Sequence, residues 1–249
     1  MFSISASGIK AILLDIEGTT TPLSFVHEVL FPYARQHTHV YLTEHFDTKA
    51  VQDNLLQLMD EHTADCAQDE TQPALVAGSR ASLIDSITAY IFWLMDRDRK
   101  STGLKSLQGK IWEEGYKQGT LVGQVFPDVP IALNLWQQIN LKSSIFSSGS
   151  VLAQKLLFAH TEFGDLTPFL YSYYDTTTGA KSAVESYSLI ATTLELAPSQ
   201  VLFISDTEAE LAAARESQMS TLLCLRPGNR RRSADNTHSR ITSFDEIAN

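Results

Sequence analysis

The sequence predicts an α/β protein with a parallel, Rossmann-like sheet core and an all-helical cap domain inserted into it. Three observations predict this class. Short, nearly continuous apolar runs at residues 9–14 and 201–204 have the pattern of strands buried on both faces, and 143–146 and 221–225 read as further strands. After residue 122 these runs alternate with helical patterns, as crossovers between parallel strands require. Between the first strand and that alternation lies a block, about residues 24–117, that reads as helical.

Taken in order, IKAILL at 9–14 is a strand that ends at Asp15 and runs into the loop DIEGTTTP. SFVHEVLFPYARQHTHVYLTEHF opens the helical block, and Pro32 should kink or divide it. Further helices are predicted over 50–61 and 79–99; in the latter Leu83, Ile84, Ile87, Tyr90, Ile91 and Leu94 form one broad stripe. The polar stretch TADCAQDETQPALVAG, 63–78, reads as a loop, and SLQGKIWEEGYKQG closes the block. A short helix starting at proline follows over 130–139. The strand at 143–146 ends in SSGS and leads to a helix over 151–160. A helix over 182–196 precedes the strand at 201–204, which ends in SDT. A helix over 208–217 and a last strand at 221–225 complete the pattern. The expected domains are 1–21 with 122–249 as the core, and 22–121 as the cap.

Bulk composition narrows the class. A chain of 249 residues, 43% hydrophobic, suffices for one sizeable core plus a smaller appended domain. The net charge of -10 disfavours nonspecific nucleic-acid binding, which needs clustered Lys and Arg. Two cysteines, Cys66 and Cys224, argue against a disulfide scaffold and for a reducing compartment. The first residues lack the basic and long apolar regions of a signal peptide. No stretch reaches the roughly 20 apolar residues of a membrane helix. The expectation is a soluble, cytoplasmic protein without nucleic-acid or membrane partners, and a monomer for want of an evident apolar interface.

Three polar clusters each follow an apolar strand: Asp15 to Thr20, Ser147 to Ser150, and Ser205 to Thr207. The carboxyl ends of parallel strands meet on one edge of the sheet, where ligands bind, so clusters far apart in sequence converge. Asp15 and Asp206 offer hard oxygens suited to Mg²⁺. Ser147 and Ser148, with Gly149 leading into a helix, offer hydroxyls and backbone N–H groups to a phosphate. Lys181 follows the glycine-bearing TTTGAK and precedes a helix, so its ammonium could reach the same phosphate. A carboxylate nucleophile, a metal and a lysine together spread the negative charge of phosphoryl transfer.

DIEGTT, SSGS, Lys181 and SDTEAE resemble the four motifs of the haloacid dehalogenase-like hydrolases. Within them, LLDIEGTTTPLSFVHEVLFPYAR, LQGKIWEEGY, FPDV, SSGSVLAQKLLFAH and RPGN resemble the enolase-phosphatase E1 family of methionine salvage, across cap and core alike. The usual superfamily pattern has aspartate two places after the nucleophile; Glu17 stands there in this chain. The resemblance implies Asp15 as nucleophile and metal ligand, and Glu17 as acid–base that also touches the metal through its carbonyl. It implies Asp206 as the second carboxylate ligand of one Mg²⁺ per chain, and Ser147, Ser148 and Lys181 as the phosphate holders. The implied substrate is 2,3-diketo-5-methylthiopentyl-1-phosphate, enolised and then dephosphorylated to an acireductone. The implied cap closes over the site, excludes water and selects the substrate.

Each residue also has a plainer reading. Asp15 alone would be a turn or cap, and Ser147, Ser148 and Asp206 could each cap the helix that follows. Lys181 alone would be a solvated lysine. Glu210 either orients a metal-bound water or faces solvent. His27, His37, His39 and His45 read as exposed histidines rather than a transition-metal site, because residues two apart diverge on a helix. Trp93 and Trp112 read as cap core, and Cys224 as a small buried hydrophobe. RPGNRRRSADNTHSR, with five arginines, reads as a solvated loop whose Arg226–Asn229 start shapes the edge of the site. Rival functions are another capped phosphatase acting on a sugar phosphate or phosphoglycolate, and a non-catalytic phosphometabolite-binding protein. A dehalogenase fits poorly, since it needs neither metal nor an acid at position 17.

Overall fold

The apolar run Ala11–Leu14 is a strand whose four side chains are wholly withdrawn from water. In chain order the strands are β1 (Phe2–Ser3), β2 (Ala11–Leu14), β3 (Lys142–Phe146), β4 (Ser172–Tyr174), β5 (Val201–Ser205), β6 (Ser220–Cys224), β7 (Ser239–Ile241) and β8 (Ile247–Ala248). This computed structural model describes residues 2–66, 71–76, 78–229 and 238–248. Among them, six strands form one parallel sheet in the order β4-β3-β2-β5-β6-β7, while β1 pairs separately with β8. The sheet winds outward in both directions from β2: Leu14 lies opposite Ile145 of β3 on one side and Ile204 of β5 on the other. A parallel sheet of this kind must be covered on both faces, which is why β2 and β5 are buried along their whole length.

The chain divides into two units, Met1–His27 with Leu121–Asn249, and Glu28–Thr120. The first holds the sheet and the helices α5 (Asp128–Gln138), α6 (Val151–Ala159), α7 (Val184–Thr193) and α8 (Glu208–Glu216). Leu13, Phe146, Tyr187, Ile190, Phe203, Leu211 and Leu223 pack into one core between sheet and helices. Burying each such side chain contributes roughly 1.5–3 kcal/mol before the entropy of ordering it. The second unit holds α1 (Phe31–His45), α2 (Lys49–Cys66), α3 (Arg80–Asp96) and α4 (Thr102–Lys117). Its core is built by Leu42, Leu55, Leu58, Leu107 and the α3 stripe of Ile84, Ile87, Tyr90, Ile91 and Leu94. Trp93 and Trp112 are both buried there, and the indole of Trp112 donates to the Leu30 carbonyl at 2.9 Å.

Pro32 marks the division expected of it: it stands in the first turn of α1, just after a separate π-wound segment, Phe25–Leu30. Several boundaries differ from the sequence expectation. The loop expected at 63–78 begins later, because α2 continues to Cys66: the Asp65 carboxylate accepts from the Tyr90 hydroxyl at 2.8 Å and from Arg99. Residues 67–70 and 77 of that stretch lie outside the described residues. Helix α5 starts two residues ahead of Pro130, because Asp128 is held by contacts from distant segments rather than by local signals. The helix expected over 182–196 is shorter at both ends. Edge strands β4 and β7, of three residues each, are too short to show any periodicity.

Candidate active site

Because β3 and β5 flank β2, their carboxyl ends place Ser147, Asp15 and Asp206 side by side on one edge of the sheet. Asp15 is 5% exposed, and its N–H donates to the Ile204 carbonyl at 3.0 Å, so the strand pairing fixes its backbone. Beyond it the chain turns tightly: the N–H groups of Thr19, Thr20 and Thr21 all point at the Ile16 carbonyl, 2.9–3.1 Å away, and Gly18 donates to Thr21. Gly18 has φ +75°, and a Cβ there would stand 2.7 Å from Asp206 Oδ2, so both backbone angle and space demand glycine. The Thr19 hydroxyl reaches Asp15 Oδ2 at 3.3 Å.

Lys181 enters from the loop before α7. Its Nζ lies 2.5 Å from Asp15 Oδ1 and 2.8 Å from Glu210 Oε2. Its backbone is held as well, since the buried Tyr187 hydroxyl donates to the Lys181 carbonyl at 2.6 Å. Burial works against the ammonium, but the Asp15 and Glu210 carboxylates outweigh it, and the lysine pKa rises. Glu210 is raised too, by burial first and then by the Asp15 charge. Its Oε2 also accepts from Ser205 Oγ at 2.9 Å. Glu17 is affected as well: burial, and after it the Asp15 charge, push its carboxyl up to about 7 against the pull of Lys181. At the end of β3, Ser147 is buried and its Oγ accepts from the Gly149 N–H at 3.2 Å, while Ser148 is exposed. Ser150 caps α6 by accepting from the Ala153 N–H.

Residues 9–218 match the family model for haloacid dehalogenase-like hydrolases. An enolase-phosphatase E1 of Synechococcus elongatus is 49% identical over 96% of this chain and 98% of its own. An enolase-phosphatase E1 of Caenorhabditis elegans is 41% identical over 96% of each chain. The chain belongs to the enolase-phosphatase E1 family of haloacid dehalogenase-like hydrolases. The crystal structure of the UTR4 protein of Saccharomyces cerevisiae is similar as well, with a TM-score of 0.78 at 30% identity, covering 95% of this chain and 99% of that one.

In this enolase-phosphatase E1 family member, the structure joins Asp15, Lys181 and Glu210 by direct ion pairs. Glu17 and Asp206 belong to the same electrostatic group, since both Asp15 and Asp206 raise the Glu17 pKa. Glu210, left open between metal water and solvent, is turned away from solvent and faces Lys181 and Ser205. Two residues outrun the sequence reading. Arg226, expected at the start of a solvated loop, is 6% exposed and donates Nε to the Thr19 carbonyl at 3.0 Å. Asn229 donates Nδ2 to the Gly18 carbonyl at 2.9 Å. The only sequence signal for them was RPGN itself; the rest of that loop, 230–237, lies outside the described residues. The histidines do not gather: His39 faces Asp85 and His45 faces Glu114.

Proposed function

We propose that this hydrolase converts 2,3-diketo-5-methylthiopentyl-1-phosphate to the acireductone 1,2-dihydroxy-3-keto-5-methylthiopentene and phosphate, as a step of methionine salvage. The names of its full-length relatives support the pairing of enolase and phosphatase chemistry. The observation that carries the residue assignment is Glu17, a carboxyl whose pKa stands at about 7 two residues from a buried Asp15. Such a group can give and take a proton in one catalytic cycle near neutral pH.

Glu17 as carboxylate takes the proton from the carbon beside a substrate carbonyl, giving the enediolate. Asp15 then attacks phosphorus; a bond forms from its carboxylate oxygen, and the bond to the substrate oxygen breaks. Protonated Glu17 delivers its proton to that departing oxygen. Water next attacks the aspartyl phosphate, Glu17 receives a proton of the water, and Asp15 is released. Ser147, Ser148 and Lys181 hold the phosphate, with Lys181 exchanging one of its carboxylate contacts for a phosphate oxygen.

The donor set fits Mg²⁺. Asp15, Asp206 and Glu210 all press on Glu17, so four carboxyl groups, Asp15 and Asp206 buried and the other two partly so, gather against the Lys181 ammonium. A surplus of hard oxygens is what such a cation requires. Asp15 and Asp206 would hold it by their carboxylates and Glu17 by its carbonyl, one ion per chain. When bound it supplies positive charge against developing oxyanions. The helical unit Glu28–Thr120, expected over 22–121, is the cap of this assignment, and Met1–His27 with Leu121–Asn249 the hydrolase core.

The test follows the diketone phosphate by ultraviolet absorbance and by phosphate release, with and without EDTA. Both signals should appear with Mg²⁺ and be lost in EDTA. Asp15→Asn should keep enolisation while phosphate release drops by about three orders of magnitude or more, and Glu17→Ala should lose both steps. Rapid turnover of sugar phosphates with none of the diketone would reject the substrate. Enolisation surviving in Glu17→Ala would reject the base.

A further inference from the structure

The turn after Asp15 is held from outside at three consecutive carbonyls. Gly18 O accepts from Asn229 Nδ2 at 2.9 Å, Thr19 O from Arg226 Nε at 3.0 Å, and Thr20 O from the Phe126 N–H at 2.9 Å. The Thr21 carbonyl is used within the turn, by Gly18 N–H at 2.8 Å. We propose that Asn229 and Arg226 are positioning residues for the enolase-phosphatase reaction: by gripping the carbonyls of Gly18 and Thr19 they hold Glu17 in place beside Asp15. This rests on the assignment of Glu17 as the acid–base.

Gly18 is the reason a grip is needed. It is the residue that follows Glu17, it sits at φ +75°, and without a Cβ it resists rotation less than any other residue would. Left to itself, such a joint lets the preceding carboxyl swing. Tying the Gly18 and Thr19 carbonyls on its far side removes that freedom. Asp206 Oδ2 and Asn229 Oδ1 both crowd the space where a Gly18 Cβ would be, at 2.7 and 3.0 Å. The glycine is therefore pressed from its open side as well.

The bonding of the two side chains is not what a merely structural pair would choose. A buried arginine opposite a carboxylate gains most from a two-pronged contact. Arg226 instead gives Asp128 only Nη1, at 2.8 Å, shares that nitrogen with the Thr242 carbonyl at 3.1 Å, and spends Nε on Thr19. Among the described residues its buried Nη2 has no partner. The rings of Phe126 and Phe244, 4.5 and 4.7 Å from its guanidinium carbon, set the plane of the fork. In Asn229 the amide orientation is fixed by two carbonyls, Gly18 at 2.9 Å and Cys224 at 3.4 Å, which leaves the buried Oδ1 without a donor among the described residues. Each side chain thus tolerates a costly orphan atom in order to reach the turn. The phosphate-holding groups have independent anchors: Ser147 N–H on the Tyr174 carbonyl at 3.1 Å, and Lys181 through Tyr187.

The experiment compares Asn229→Ala and Arg226→Lys with the parent enzyme for kcat, KM and thermal midpoint, using Mg²⁺ and the diketone phosphate. Lysine keeps a cation opposite Asp128 but cannot reproduce the Nε bond to Thr19. Met219→Ala, which empties core space at the opposite end of β6, supplies a destabilised control with an untouched turn. Both turn variants should lose kcat about ten-fold or more while KM stays within about two-fold, and Met219→Ala should lower the midpoint with kcat near the parent value. Parent-like kcat in both turn variants overturns the proposal, as does a fall in kcat that Met219→Ala reproduces at equal loss of midpoint. If the parent ignores the diketone phosphate but hydrolyses acetyl phosphate, the substrate assignment fails, and the same comparison on acetyl phosphate still decides the grip.

Discussion

At neutral pH the Glu17 carboxyl stands near its midpoint, because burial and then the Asp15 charge both oppose its ionisation. That has a consequence for stability as well as for proton transfer. Its folded value of about 7 lies above the ordinary 4.5, so folding favours the protonated form. The stability this gives is full below about pH 4.5 and is lost as pH rises through 7, amounting to about 3 kcal/mol. In EDTA, Glu17→Gln should therefore exceed the parent in urea stability by about 2–3 kcal/mol at pH 8, with the difference closing towards pH 4.5. A difference that does not change with pH would remove burial as its cause. The neighbouring Gly18 is equally specific: Gly18→Ala puts a methyl 2.7 Å from Asp206 Oδ2 at φ +75°, and should cost about 1–3 kcal/mol in thermal unfolding together with most of kcat. Parent-like stability in that variant would mean that the turn is free to readjust.

Within elements, local chemistry explains where helices begin more often than where they end. Ser79 accepts from the Ser82 N–H and Ser82 answers to the Ser79 N–H, a reciprocal cap on α3. Ser79→Ala should cost about 1 kcal/mol, read from the urea midpoint. An unchanged midpoint would show that the tertiary contacts of α3 carry its first turn. The apolar stripe of α3 was legible from spacing alone, and every member from Ile84 to Leu94 named in it is buried. By contrast, the last turn of α2 depends on Tyr90 and Arg99 reaching Asp65, and the first turn of α5 on Arg226 reaching Asp128. Those partners lie 25 to 98 residues away in the chain, so no window of sequence displays them.

For the whole molecule, the sheet is the cooperative unit that the site stands on. Cys224 sits on inner strand β6, wholly buried, and burial pushes its thiol up to about 12, whereas Cys66 is exposed. A thiol reagent at pH 8 should label Cys66 promptly and Cys224 only at the rate of global opening, so urea should accelerate Cys224 labelling alone. Equal labelling of both in native buffer would mean that β6 opens locally. Among the described residues no helix is long and apolar enough to cross a membrane.

The sequence by itself determined the α/β class, the strands that carry Asp15, Ser147 and Asp206, and the presence of a helical block between them. Those follow from local information: continuous apolar runs, helical spacing, and polar clusters at strand ends. The motifs also sufficed to name the family. Only the tertiary structure decided that Lys181 is shared between Asp15 and Glu210, that burial and the Asp15 charge bring the Glu17 carboxyl up to about 7, and that Arg226 and Asn229 reach back some 200 residues to the turn at Gly18 and Thr19. The physical reason is the same in each case. A pKa and a hydrogen bond depend on what stands within a few ångströms, and in a doubly wound sheet those neighbours arrive from strands that are adjacent in space and far apart in the chain.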